Sequence, residues 1–175
     1  MKTIEIKLYK FSELSKEAKQ KAIENHCDLN VDYNWWESSY EDAERVFCII
    51  SSFDTGRGNY CDLNFTLSAY EVASEIKSEH GVNCDTYKKA INFINSYDNL
   101  VAKYSDGTNQ DIVMEENNCK FDEEVEELEE NFEKIIADCY LTMLINDCEY
   151  RTSKEAIIET IEVNEYDFTE DGKLY

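Results

Sequence analysis

The sequence contains no proline and only five glycines. Helix and strand ends must therefore be set by Gly, Ser and Asp, and no internal repeat or Pro/Gly/Ser-rich linker divides the chain. Positive charge is scarce: 17 Lys and Arg stand against 39 Asp and Glu, a net charge of −22 at pH 7. Such a chain has no cationic track with which to displace counterions, so direct nucleic-acid binding is not expected. No apolar run approaches the roughly 20 residues needed to span a bilayer, the longest short block being Val46-Phe47-Cys48-Ile49-Ile50. The start, MKTIEIKLYK, alternates and lacks the apolar core of a secretion signal. The cysteines, Cys27, Cys48, Cys61, Cys84, Cys119, Cys139 and Cys148, are odd in number and widely spaced. That pattern suits reduced thiols in a cytosol better than a disulfide framework. The expectation is a soluble cytoplasmic protein with no membrane association.

Hydrophobic residues make up 42% of the 175, including 12 Tyr, 8 Phe and 2 Trp. That is enough for a buried core, and a disordered chain would be poor in aromatics. The length fits a single globular domain, 1–175, with 105–120 as the one place that reads as a sub-boundary. A charge of this size repels itself and keeps a protein soluble, and it also steers the molecule toward basic partner surfaces.

Alternation over residues 3–10 predicts a strand, with Ile4, Ile6 and Leu8 on one face. Ser15 opens a helix to about Cys27, and a second helix runs from about Trp35 to Arg45. Val46–Phe53 and Tyr60–Leu67 flank the turn DTGRGN as a hairpin. Ser68 and Glu71 match a capping box for a third helix, which ends at a left-handed Gly81. Asp85 caps a fourth helix to about Lys103, and SDGTNQ follows as a loop. From Asp122 to about Cys148, apolar Val125, Leu128, Phe132, Ile135, Ile136, Cys139 and Met143 recur in helical steps. Ser153 starts a last helix to about Val163, and Glu170-Asp171-Gly172 reads as a hairpin-like turn. The fold class predicted is α+β: a small antiparallel sheet with helices packed against it, one of them long, acidic and amphipathic.

Acidic residues are densest from Glu115 to Glu133. Asp122, Glu123 and Glu124 suit a first helical turn, where the dipole stabilises negative charge. Glu126, Glu127, Glu129, Glu130 and Glu133 lie beyond that turn, and like charges at helical spacing repel. With Glu123 they form a row of carboxylates that can imitate phosphates and occupy a cationic groove; a solvated face is the simpler use. Trp35 and Trp36, with Tyr33 and Tyr40, are either core or a partner anchor, since large aromatics dominate both.

Other constellations are weaker. DLNVDYN begins like a calcium loop, but Tyr33 and Ser39 stand where the sharp-turn Gly and bidentate Glu are needed. Gly56 and Gly58 of DTGRGN are not followed by a strand–loop–helix phosphate motif. His26-Cys27 and His80 with Cys84 lack zinc-ligand spacing, and a Cys–His nucleophile has no motif around it. No catalytic residue, metal site or cofactor is therefore assigned, and the chain is not expected to be an enzyme.

The segments FSELSKEAKQKAIENH, NVDYNWWESSYEDA, FDTGRGNYC, SAYEVASEIKSEHG and NEYDFTEDGKLY resemble an uncharacterised family of small acidic proteins encoded by phages and mobile elements, anti-CRISPR proteins among them. The resemblance touches much of the chain and assigns no catalytic residue. It implies an inhibitor acting in the host cytoplasm on a basic nucleic-acid-binding defence protein, such as a CRISPR effector nuclease that holds nucleic acid in a cationic channel. The residues expected to bind are Glu123, Glu126, Glu127, Glu129, Glu130, Glu133, Trp35 and Trp36. A small phage enzyme, or a phage structural or regulatory protein whose acidity serves solubility, are the alternatives.

Overall fold

A computed structural model describes residues 5–104 and 114–175. The fold is α+β, with six helices and two small antiparallel sheets among the described residues. The chain divides into two compact units: residues up to Trp35 together with Ile145–Tyr175, and Trp36–Leu144. The sub-boundary expected at 105–120 lies largely outside the described residues.

In the first unit, β1 (Tyr9–Lys10) pairs antiparallel with β4 (Asp167–Phe168). The alternation through Ile6 and Leu8 does not extend the strand, because its partner is only two residues long; Ile4 lies outside the described residues. Helix α1 (Lys16–Asn25) is capped by Ser15, whose hydroxyl accepts from the Ala18 amide at 3.1 Å. Helix α6 (Lys154–Val163) is capped in the same way by Ser153 on Ala156 at 3.2 Å. The core joins Phe11, Leu14, Ala22, Ile157, Ile161 and Phe168. The expected turn at 170–172 closes through Gly172, whose φ is 83° and whose amide donates to Thr169 at 2.9 Å.

The second unit holds α2 (Glu37–Arg45), the hairpin of β2 (Cys48–Asp54) and β3 (Tyr60–Phe65), α3 (Ala69–Glu79) and α4 (Asp85–Tyr104). It also holds α5 (Met114–Arg151) as far as Leu144. The hairpin pairs Cys48 with Phe65 and Asp54 with Tyr60, with one bulge between Ile50 and Ser52. The Ser68–Glu71 capping box forms in both directions. Gly81 is not left-handed; α3 ends on His80 in an extended conformation, φ −91° and ψ 146°. The loop SDGTNQ lies outside the described residues.

Helix α5 begins eight residues before the expected Asp122. Its buried row is Phe132, Ile136, Tyr140 and Leu144, at steps of four. Val125, Leu128, Ile135 and Cys139 are half-buried beside it, and Met143 is exposed. Only steps of four continue the row because the helix turns about 100° per residue, so a position three residues off rotates to the flank.

Candidate functional site

Eight of the twelve residues from Asp122 to Glu133 are acidic. Because Phe132, Ile136 and Tyr140 fix the inward side of α5, Glu123, Glu126, Glu127 and Glu130 are turned to solvent. Glu129 and Glu133 are half-buried at the flank. Three acidic residues are locally engaged. Glu124 accepts from Lys103 Nζ at 2.7 Å and from the Tyr104 hydroxyl at 2.9 Å, and these bonds, Lys103 first, hold its carboxyl below the ordinary value. Glu130 meets Lys134 at 3.4 Å. Glu133 accepts from the backbone amide of Phe65 at 3.3 Å. Glu123, Glu126, Glu127 and Glu129 form no ion pair with a described residue. The six expected glutamates thus share one helix, but they split into an open row and a flank partly used by the fold. The side chains of Glu115 and Glu116 lie outside the described residues.

The two tryptophans do not add an exposed aromatic anchor. Trp35 is 7% exposed, a core residue whose ring offers a partner little surface. Trp36 is half-buried and meets Phe53 edge-on, with centroids 5.7 Å apart. The exposed aromatic of that segment is Tyr33, whose hydroxyl accepts from Arg151 at 2.8 Å.

A part-buried polar cluster in the second unit escaped the sequence pattern. The fully buried Tyr140 donates its hydroxyl to Asp42 Oδ2 at 3.1 Å. Arg45 reaches the other carboxylate oxygen of Asp42 at 3.1 Å. His80 places Nδ1 2.6 Å from the Thr86 hydroxyl and Nε2 3.6 Å from Asp42 Oδ2. Nε2 is buried with no hydrogen-bond partner. Burial and then the Asp42 charge push the Tyr140 phenol upward, so it stays protonated and donates. The cluster ties α2, α4, α5 and the end of α3 together. Its members come from segments up to 98 residues apart in sequence, so no local spacing announced it.

Of the remaining sequence candidates, Cys27 and Cys84 are free, exposed thiols, and several others are occupied locally. His26 Nδ1 sits 2.7 Å from the Ala22 carbonyl. Burial raises the Cys48 thiol to about 12 and the Cys61 thiol to about 11, which keeps both out of the nucleophilic thiolate form at neutral pH. In DLNVDYN, Asn30 bridges the Arg151 carbonyl at 3.0 Å and the Thr160 hydroxyl at 2.8 Å, a tie within the first unit. In DTGRGN, the Asp54 carboxylate accepts from the amides of Gly56 and Gly58 at 2.8 and 2.7 Å, so these loop donors already hold an anion of the chain itself. Among the described residues no group of three His, Cys, Asp or Glu is placed to hold a metal ion. No described helix is long and apolar enough to cross a membrane.

Comparison with protein-family models, with curated proteins and with solved structures finds no match for this chain.

Proposed function

We propose that the protein is a non-enzymatic inhibitor that binds the cationic nucleic-acid-binding surface of another protein through the outer face of α5. The observation that carries this reading is the row of Glu123, Glu126 and Glu127, exposed on a helix whose buried row starts at Phe132, and left without ion pairs to described residues. Neighbouring carboxylates on a helix repel one another by a few tenths of a kcal/mol per pair. A basic surface relieves that repulsion, and its field accelerates the encounter. The resemblance of NVDYNWWESSYEDA and its companion segments to phage and mobile-element proteins supports a phage origin, action in the host cytoplasm and a defence target of the CRISPR-effector type.

The test is a pull-down from host lysate with the tagged chain, washed across a salt series and read by mass spectrometry. A basic nucleic-acid-binding protein should be recovered and lost progressively as salt rises. Recovery of only phage structural proteins, or of nothing above background, removes the inhibitor reading.

A further inference from the structure

Beside the acidic row, α4 and α5 border an open groove of about 460 Å³ lined by Ser96, Leu100, Glu124, Glu127, Leu128 and Asn131. The lining follows from helix geometry. Ser96 and Leu100 are one turn apart on α4, and residues 124, 127, 128 and 131 share one side of α5. The half-buried Leu100 and Leu128 supply apolar lining. At the rim the two carboxylates differ. Glu124 is taken by Lys103 at 2.7 Å and by Tyr104 at 2.9 Å, whereas Glu127 is exposed and pairs with no described residue.

We propose that this groove receives a single arginine side chain from the partner, an inference that rests on α5 being the binding face. The groove matches that side chain part by part. An arginine stem is apolar and packs on leucine, while its head remains charged. The guanidinium presents five donors in a planar fork. Glu127 accepts bidentately, and the Asn131 and Ser96 side-chain oxygens provide separate acceptors at the rim. A lysine ammonium has three rotatable donors, but it is a compact, strongly hydrated point charge that loses more hydration beside the leucines and presents no planar fork to a carboxylate. Because Lys103 already neutralises Glu124, the groove holds one open carboxylate and accepts one cation, whereas the outer row attracts positive charge without selecting its type.

The probes are acetylated, amidated hexa-arginine and hexa-lysine, titrated calorimetrically into the full chain at low salt. The variants are Glu127→Gln, in the groove, and Glu126→Gln, equally exposed on the same helix but not lining it. Hexa-arginine affinity should fall about fivefold or more in the first and about twofold or less in the second, the difference between a well-formed charged pair and a loss of field. Hexa-lysine should weaken equally in both. The amide resonances of Ser96, Leu100 and Leu128 should move with hexa-arginine. Equal losses of hexa-arginine in the two variants overturn the arginine slot and leave the acidic-face reading standing. Failure of both peptides to bind the unmodified chain overturns the two together.

Discussion

The carboxylate of Glu133 accepts a hydrogen bond from the backbone amide of Phe65 at 3.3 Å. Phe65 pairs with Cys48 in the hairpin, and alternate amides of an antiparallel strand point away from the partner strand. Glu133 thus covers part of the outer edge of β3, where an open strand invites pairing with another chain. The neighbouring ring contact, Phe65 to Phe132 with centroids 5.5 Å apart, fixes the same approach of α5. Glu133, on the flank of the acidic helix, is therefore a structural part of the unit, whereas Glu123, Glu126 and Glu127 form no ion pair with a described residue.

That difference is measurable. Glu133→Ala removes the acceptor from a half-buried amide and should cost about 1 kcal/mol in urea unfolding, the usual range for such a loss. Glu126→Ala, on the exposed side, should stay within about 0.5 kcal/mol of the parent. Equal effects at the two positions would show that the Phe65 bond contributes nothing.

Reversing Glu126, Glu127, Glu129 and Glu130 to Lys together should abolish the salt-sensitive binding proposed for this face while the circular dichroism stays helical. The four side chains lie outside the buried row of Phe132, Ile136 and Tyr140, and the change lowers the like-charge repulsion along the helix. Full inhibition by this folded variant would take α5 out of the mechanism.

The helices were legible where local chemistry decides them. Ser15, Ser68 and Ser153 each cap the helix their position predicts, since a hydroxyl one residue before a helical run has few other uses. The hairpin was legible from its turn and flanking runs. What depends on distant partners was not. Tyr9 finds Phe168 at the far end of the chain, and Asp42 finds Tyr140 on a helix 98 residues away. The break between Trp35 and Trp36 is equally a matter of where the later segments return. At the candidate site, composition located the acidic helix, but only packing could separate Glu133, bound to a strand, and Trp35, enclosed in a core, from the side chains a partner can reach.

Glu124 gives the pH dependence a sign. Lys103 and Tyr104 lower its folded pKa below the ordinary 4.5. Its contribution to stability is thus present above the unfolded value and is lost as pH falls through the folded one. Glu124→Gln should be less stable than the parent at pH 6, and the two unfolding curves should converge as pH drops below about 4.5. A stability difference unchanged across that range would show that the charged form of Glu124 contributes no pH dependence.

The sharpest stability prediction belongs to Gly172. Its φ of 83° lies where a side chain is disfavoured, and a Cβ built there would come 2.2 Å from the Ala18 carbonyl oxygen. That oxygen belongs to α1, whose position is set by Phe11, Ala22 and Phe168 in the first unit's core, so relief requires moving the helix or opening the turn. Opening the turn disturbs the bridge between Phe168 and Leu174, and with it the strand that pairs Phe168 with Tyr9. Gly172→Ala should therefore cost at least about 2 kcal/mol, well beyond the usual exposed-turn substitution. Differential scanning calorimetry checks the loss, and amide exchange locates it. Protection should fall first at Tyr9, Phe168 and Thr169, while the amides of Ile136 and Tyr140 keep theirs. A variant as stable as the parent would mean that the tail does not pack on α1 in solution.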